Sequence, residues 1–158
     1  MHENAQLITS FYEGFQQRDH EAMARCYRDD VHFSDPVFVD LRGNQVKAMW
    51  HMLCASGTDL KVDFSDIVAD DTTAGAHWEA RYTFGGRFVH NVIEAKFVIQ
   101  DGLVAEHRDT FDLWKWSRMA AGIPGTAFGW SSFAQNKVRS TAMSRLNRFI
   151  ADHPEYES

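Results

Sequence analysis

The hydrophobic period of this chain changes once, near Ser56-Gly57, from helical spacing to strict alternation. Successive side chains of a strand point to opposite faces, so alternating apolar and polar residues predict half-buried strands. Four such stretches follow the change, over 60–65, 77–84, 89–99 and 103–113. Gly85-Gly86 and Asp101-Gly102 are two-residue turns of the kind that joins antiparallel strands. Helices followed by a curved, mainly antiparallel sheet predict an α+β fold.

Helical spacing dominates the residues before this change and returns at the end of the chain. We predict an amphipathic helix over 5–18, a short helix from an N-capping Asp19 to about Tyr27, and a third from about Asn44. Residues 131–151 predict a closing helix. The aromatic-rich stretch 115–130 is interpreted as a lid-like loop. Together these elements predict one domain over 1–158 with its core in 5–113.

Composition narrows the function classes. The net charge is -6, and no basic patch that could bind phosphates is visible, which argues against a nucleic-acid partner. No apolar stretch approaches the roughly 20 residues of a membrane span, and no signal peptide is recognisable at Met1–Gln6. Cys26 and Cys54 lack metal-ligand spacing and are expected to be buried apolar residues. We therefore expect no membrane partner and a cytoplasmic location.

An aspartate stands where the first strand calls for an apolar residue. In Val31–Pro36, Asp35 projects from the same face as Val31 and Phe33. A carboxylate that faces an interior costs free energy unless it is paired, hydrogen-bonded or protonated. The structural alternative is that Asp35-Pro36 ends the strand in a turn, with the carboxylate capping backbone N–H groups in water.

Polar side chains interrupt apolar strand faces at three more positions, Asn91, His107 and Asp109. Tyr82 adds a hydroxyl group to the apolar face of its own strand. Each of them alone has a structural explanation, as a satisfied core histidine, a bulge asparagine or a strand-end cap. The hairpins place Asn91, His107 and Asp109 on neighbouring strands, however. Convergent polar groups on an apolar face are typical of a small-molecule pocket.

The residue types in this predicted pocket suit acid–base chemistry. Burial raises the pKa of a carboxyl group, and two neighbouring carboxyls titrate apart, so that one serves as base and the other as acid. A nearby histidine orients either group or relays a proton. This equipment fits proton abstraction beside a carbonyl, or acid–base-assisted addition and elimination. No phosphate loop, nucleophile elbow or zinc motif is present, so neither a cofactor nor a metal is predicted. The spacing of His107 and Asp109 is not specific for a metal.

The opposite sheet face is charged. It carries residues that we interpret as solvated or as contacting another subunit: His77, Glu79, Arg81, Glu94, Glu106, Arg108 and Asp112. Sheets of this kind commonly bury their second face in a dimer. A homodimer through the outer sheet face is therefore the expected assembly.

Several segments resemble the SnoaL-like branch of the nuclear transport factor 2-like superfamily. These are Phe11-Tyr12, Arg18-Asp19, Tyr27–Val31, Phe33–Pro36 with Gly43, and Glu106–Asp112. The resemblance implies a cone-shaped half-barrel in which helices and a curved sheet enclose a pocket. The superfamily holds ketosteroid isomerases, polyketide cyclases, scytalone dehydratases, epoxide hydrolases and non-catalytic binding proteins, so it does not settle activity.

The resemblance assigns roles residue by residue. Asp35 matches the general base of the isomerases, in the same Asp-Pro context. The oxyanion-hole tyrosine of those enzymes falls at Phe11, and their protonated acid falls at Ala95, which argues against ketosteroid isomerisation. His107 and Asp109 are closer to the equipment of the SnoaL-type cyclases.

Two hypotheses follow. In the first, the protein is a cofactor-independent acid–base enzyme acting on a small, mainly apolar carbonyl or enol compound. Asp35 or Asp109 is then the base, and the other acts as acid beside His107. The residues predicted to contact substrate are Tyr12, Tyr27, Trp50, Trp78, Tyr82, Asn91 and Phe111. In the second, the same groups only anchor a ligand or one another, in a non-catalytic binding or scaffold module.

Overall fold

A computed structural model describes residues 1–121 and 132–157. Five α-helices lie within these residues. Their bounds are α1 (Glu3–Gln16), α2 (His20–Ala24), α3 (Asn44–Ser56), α4 (Leu113–Ala121) and α5 (Ser132–Ala151), with a 3₁₀ turn at Pro154–Tyr156. None of the described helices is both long and apolar enough to cross a membrane.

One six-stranded sheet forms the other layer, in the spatial order β2-β1-β6-β5-β4-β3. Its strands are β1 (Tyr27–Ser34), β2 (Leu41–Arg42), β3 (Lys61–Ala69), β4 (Thr73–Phe84), β5 (Arg87–Gln100) and β6 (Leu103–Thr110). Neighbours are antiparallel except β1 and β6, which are parallel. The predicted α+β class and the curved, mainly antiparallel sheet are confirmed, in the form of a cone-shaped half-barrel.

Local sequence chemistry accounts for the turns. The carboxylate of Asp19 accepts a hydrogen bond from the backbone N–H of Ala22 at 3.0 Å, which confirms it as an N-cap. The helix that it starts ends at Ala24, earlier than predicted, and Tyr27 already belongs to β1. Both hairpin turns have two positive φ angles, 56° and 80° at Gly85-Gly86 and 55° and 77° at Asp101-Gly102, which their residue types favour.

The strand parity predicted for β6 is wrong at its beginning. Ile99 pairs with Val104, whereas Val98 pairs with Glu106, so Ala105 is an extra residue in β6. Such a bulge shifts the alternation by one position. Val104 is therefore fully buried while Leu103 and Ala105 are partly exposed. His107 and Asp109 lie beyond the bulge and keep the inward orientation that was predicted for them.

The stretch 115–130, predicted as an irregular lid, differs in its first part. Residues 115–121 belong to helix α4, because Leu113, Trp116 and Ala120 recur at helical spacing and turn one side towards the protein. Residues 122–130 lie outside the described residues. The predicted closing helix is present as α5, with Leu146 fully buried and Val138, Ala142 and Phe149 packed against the core.

The main core lies between the inner sheet face and helices α1 and α3. It is rich in aromatic side chains, among them Phe11, Tyr12 and Phe15 from α1, Trp50 from α3 and Phe97 from β5. Cys26 and Cys54 are buried free thiols, as predicted. Burial raises the pKa of each thiol to about 11, so neither is a reactive thiolate at neutral pH.

Candidate functional site

A chain of hydrogen bonds runs through the core between α3 and β6. Trp50 Nε1 donates to the Tyr27 hydroxyl oxygen at 2.8 Å, and that oxygen lies 2.7 Å from His107 Nδ1. His107 Nε2 lies 2.8 Å from Asp109 Oδ1. All four side chains are buried, and the His107 side chain has no exposed surface. Four residues predicted for the pocket thus form one connected network.

The donor and acceptor groups in this hydrogen-bond network fix the direction of each bond. The indole of Trp50 only donates, so the Tyr27 oxygen accepts, and the Tyr27 proton is left for His107 Nδ1. His107 Nε2–H then donates to Asp109, which also accepts from Trp78 Nε1 at 3.4 Å. This assignment, made from the network, leaves none of these donors unpaired. It places the imidazole of His107 between the phenol of Tyr27 and the carboxyl group of Asp109.

Aromatic rings enclose the histidine on several sides. The Trp50 ring lies nearly parallel to the His107 ring, with centroids 6.0 Å apart and an interplanar angle of 16°. Phe33 and Phe11 present their edges at 4.9 and 5.7 Å. A hydrogen-bonded polar pair in an apolar shell is held rigidly, because any displacement leaves a buried group unpaired.

Asp35 follows the last residue of β1 and closes a turn. Its Oδ1 accepts hydrogen bonds from the backbone N–H groups of Val37 at 2.7 Å and Phe38 at 2.6 Å, and its own N–H donates to the Phe38 carbonyl at 2.9 Å. The capping alternative is thus correct for Oδ1. The cap is not in open water, however, because Asp35 is half-buried and Val37 and Phe38 are buried.

The pairing of β1 with β6 brings Asp35 towards Asp109. Phe33 pairs with His107 and Ser34 with Arg108, so the next position along β1 is level with Asp109. Burial raises the pKa of Asp35 to about 7, and the negative charge of Asp109 adds to the rise, while the hydrogen bonds from Phe38 and Val37 oppose it. No hydrogen bond from the described residues reaches Oδ2 of Asp35. This oxygen is therefore equipped to exchange a proton near neutral pH.

A further phenol of the predicted site belongs to Tyr82. The Tyr82 hydroxyl oxygen accepts a hydrogen bond from Trp116 Nε1 at 2.7 Å. Burial raises the pKa of Tyr82, the hydrogen bond from Trp116 opposes the rise, and the charge of Asp35 adds to it. Since the Tyr82 oxygen is an acceptor for Trp116, its own O–H can still donate, and no acceptor for it lies among the described residues. The sequence interpretation missed the role of Trp116, although its helical spacing with Leu113 and Ala120 is visible in the chain.

Tyr12 carries a buried hydroxyl that has no hydrogen-bond partner among the described residues. Burial raises the pKa of Tyr12 well above its ordinary value, and the charge of Asp109 adds to this. The ring stacks on Phe64, with centroids 5.4 Å apart, and lies 6.0 Å from Trp78. Tyr12 thus lies on the inner face close to Asp109, rather than on a face of α1 away from the site.

Two predicted residues are less closely connected. Asn91 is buried on β5 and pairs with Ala80 of β4. Asp35 follows β1, and β5 lies one strand further from β1 than β6 does. Phe111 follows β6 and packs, partly exposed, against the core. No hydrogen bond links Asn91 to Asp35, His107 or Asp109 within residues 1–121 and 132–157. A substrate-contacting role for Asn91 and Phe111 stays a prediction.

The outer sheet face has a different character. An open groove of about 790 Å³ there is lined by polar and charged side chains that include His32, Lys96, Glu106 and Arg108. His107 borders this groove, yet its side chain is fully buried and bonds to Tyr27 and Asp109 on the inner side. The groove is not the candidate site, because the buried carboxyls and phenols lie on the other face.

Most residues of the candidate site lie within the range that matches one protein-family model. Residues 8–107 match the model of the SnoaL-like domain. The matched range includes Asp35, Tyr82 and His107, and it ends just before Asp109. A search of curated protein sequences found no match.

Solved structures with the same fold are numerous. A nuclear transport factor 2-like protein of unknown function from Burkholderia pseudomallei K96243 superposes with a TM-score of 0.66 at 16% identity, over 76% of this chain and 98% of that one. An epoxide hydrolase from M. tuberculosis gives 0.65 at 18%, over 78% and 93%. A putative SnoaL-like polyketide cyclase from Jannaschia sp. CCS1 gives 0.66 at 14%, over 77% and 94%. Identities this low show the fold alone.

Proposed function

We propose that this chain, which belongs to the family of SnoaL-like domains, is a cofactor-independent acid–base catalyst for a small, mainly apolar molecule with a carbonyl group. The observation that carries the proposal is the Asp35 carboxyl group. It is half-buried, its pKa is raised to about 7, and one oxygen is bound by backbone N–H groups while the other is left for a substrate. A base is most effective when its pKa lies near the working pH.

The chemical step assigns one role to each group. Asp35 Oδ2 removes the proton from the carbon beside the carbonyl, and the electrons of that C–H bond form the enolate. Tyr82, which is oriented by Trp116, donates a hydrogen bond to the enolate oxygen. The protonated Asp35 then returns the proton to the substrate at the same or another atom. The atoms and electrons of this step balance without an oxidant, a metal or a second substrate.

Asp109 and His107 hold the inner end of the site. Asp109 accepts hydrogen bonds from His107 and Trp78, which hold its carboxyl group in place. Its charge contributes to the raised pKa of Asp35. We therefore propose Asp35 as the base and an electrostatic role for Asp109.

Ketosteroid isomerisation itself is not the proposed reaction. Phe11 lacks the hydroxyl and Ala95 lacks the carboxyl that the isomerases use, and loss of one such donor costs about 2.7–4 kcal/mol of barrier. Asp109 pairs directly with Ala95 across β5 and β6. A carboxyl group is thus present beside that position, on the neighbouring strand, which supports a related reaction with different geometry.

The proposal is tested by proton exchange, which does not require the natural substrate. The protein is incubated in D₂O with a slowly exchanging aryl ketone such as 1-tetralone, and the loss of the α-proton signal is followed by NMR. We expect wild-type protein to accelerate exchange and Asp35→Asn to lower the rate by about 10²–10⁴-fold. Asp66→Asn, at an exposed aspartate, is the matched control. Equal rates in Asp35→Asn and wild type would remove Asp35 from the base role.

One observation favours a second candidate, a non-catalytic ligand-binding module. Tyr27, His107 and Asp109 bond to one another inside a packed aromatic shell, so their polar groups are satisfied without a ligand. In that case the ketone quenches the fluorescence of Trp50, Trp78 or Trp116, whereas exchange stays at the uncatalysed rate.

We further propose that the protein forms a homodimer through the outer sheet face. This face carries ion pairs such as His77–Glu79 together with the exposed apolar side chains Val68 and Val92. Light scattering after size-exclusion chromatography tests the assembly. Val92→Glu, which places a charge on this face, is expected to convert a dimer to a monomer.

A further inference from the structure

A cluster of imidazoles lies where α3 meets the C-terminal end of the described chain, with His51 inside the family match and His153 and Glu155 beyond it. His51 comes from α3, next to Trp50 but less buried, and His153 and Glu155 flank the first residue of the 3₁₀ turn. One donor atom from each of these three residues lies within 4.8 Å of the other two. His51 and His153 are half-buried and Glu155 is exposed, so the cluster is open to solvent on one side.

One ring nitrogen of each histidine is already hydrogen-bonded. His51 Nδ1 lies 2.9 Å from the Tyr156 hydroxyl oxygen, and His153 Nδ1 donates to the Phe149 carbonyl at 2.8 Å. The carbonyl only accepts, so Nδ1 of His153 carries the proton and Nε2 presents a lone pair. Metal-binding histidines are oriented in this way, with one ring nitrogen bonded to a carbonyl, a carboxylate or another polar group and the other left for the ion.

Ring packing fixes the two imidazoles further. The His153 ring stacks on Phe149 at 3.9 Å and 18°, and the His51 ring stacks on His20 at 3.6 Å and 8°.

We propose that His51, His153 and Glu155 form a binding site for a divalent transition-metal ion of the zinc type. Two imidazole nitrogens and one carboxylate suit Zn²⁺ and its neighbours, whereas Ca²⁺ and Mg²⁺ prefer all-oxygen sites. Bonds from Zn²⁺ to these ligands are about 2.0–2.2 Å long, so the three donor atoms must move closer together by about 1 Å to bind the ion. The exposed Glu155 side chain supplies most of that movement. Water completes the four ligands.

The ion would join two parts of the chain that are about a hundred residues apart. His51 lies on α3, which also presents Trp50 to the Tyr27 hydroxyl. His153 and Glu155 lie beyond α5, where contacts to α3 run through Tyr156 and Phe149. A metal here would fix the C-terminal turn against α3 and stabilise the folded state by binding.

The test is a titration of the full-length, metal-free protein with ZnCl₂ by isothermal calorimetry. We expect one Zn²⁺ per chain at this site and a rise in Tm with added Zn²⁺. Tyr156→Phe keeps the ring and removes the hydroxyl, so it is expected to weaken binding by about 10–100-fold. His153→Gln and Glu155→Gln each remove a ligand and are expected to weaken it further. Glu155 is exposed, so its variant is expected to fold normally.

Matched controls separate this site from other histidines. Glu157→Gln repeats the carboxylate change two residues further on, and His77→Gln and His90→Gln repeat the histidine change on the outer sheet face. All three are expected to keep the affinity of the C-terminal site. Co²⁺ provides a second readout, because tetrahedral coordination gives intense visible absorption, which His153→Gln should abolish. Wild-type Zn²⁺ affinity in both ligand variants, or no binding by wild type, would mean that the cluster is aromatic packing only.

Discussion

The two faces of the sheet carry the same pair of chemical groups in opposite surroundings. On the inner face, His107 lies 2.8 Å from Asp109, and the two side chains are 0% and 3% exposed. On the outer face, His77 lies 2.9 Å from Glu79, and those side chains are 24% and 28% exposed. The distances are nearly equal. The difference in solvent decides what each pair does.

The outer pair is exposed to solvent, which can replace a lost hydrogen bond, whereas the inner pair is buried away from solvent. The outer histidine bonds to Glu94 as well as Glu79, and Glu79 also reaches His90 and Arg81, so charges there exchange partners at little cost. The inner pair has a fixed set of partners in Tyr27 and Trp78, and a lost bond leaves a buried group unsatisfied. A precise network inside and an adaptable one outside suit a pocket and a contact surface respectively.

The largest difference between the faces is expected from His107→Ala. This change leaves Asp109 without its main partner and Tyr27 without an acceptor, and breaking a buried pair costs about 3–5 kcal/mol. Urea unfolding at neutral pH measures the loss. His77→Ala, the same substitution on the outer face, is expected to cost a small fraction of it. Equal losses would show that burial does not distinguish the two pairs.

Asp35→Asn is expected to stabilise the protein at neutral and alkaline pH. The folded pKa of about 7 lies above the unfolded value of 3.8, so wild type loses stability as pH rises from about 4 to 7. Each unit of pKa difference is worth about 1.4 kcal/mol, which makes the gain at most a few kcal/mol. The amide keeps an oxygen for the Val37 and Phe38 N–H groups.

The measurement is the Tm of Asp35→Asn and wild type from pH 4 to pH 8. The gap between them should open with rising pH and stay constant above about pH 8. Asp66→Asn should run parallel to wild type throughout. A Tm lower than that of wild type at pH 8 would mean that the charged Asp35 holds the turn together, and the base role would lose its support.

Tyr12→Phe is expected to leave stability unchanged or raise it by about 1 kcal/mol, since it removes a buried hydroxyl that lacks a partner among the described residues. Tyr27→Phe is the matched control. It breaks the bonds to His107 and Trp50 and should cost about 1–3 kcal/mol. Thermal unfolding of both variants gives the comparison. A loss in Tyr12→Phe as large as that in Tyr27→Phe would show that the Tyr12 hydroxyl is bonded.

The smallest effect is expected for the pH and salt dependence of His77→Ala. Hydrogen bonds to Glu94 and Glu79 raise the pKa of His77. A raised histidine pKa stabilises the fold below the unfolded value, and this contribution is lost as pH rises through the folded pKa. The variant should therefore be slightly less stable than wild type at pH 6 and equal to it at pH 9. High salt should reduce the pH 6 difference, because exposed charges are screened.

The sequence identified most of the elements because their patterns are local. Alternation and two-residue turns defined β4, β5 and the hairpins, and helical spacing with an N-cap at Asp19 defined α1 and the start of α2. The start of β6 was misassigned, since a bulge at Ala105 depends on the partner strand. Helix α4 was missed because aromatic and glycine residues in 115–130 resemble a loop.

The sequence by itself determined the residue types of the candidate site and the face on which Asp35, His107 and Asp109 lie. Side-chain alternation is a property of each strand, so it needs no knowledge of neighbours. Only the tertiary structure decided which groups meet. The parallel pairing of β1 with β6 brings Asp35 level with Asp109, and α3 and α5 bring His51 to His153. Such contacts join residues far apart in the chain, and they form where burial of the whole core outweighs the entropy of closing long loops.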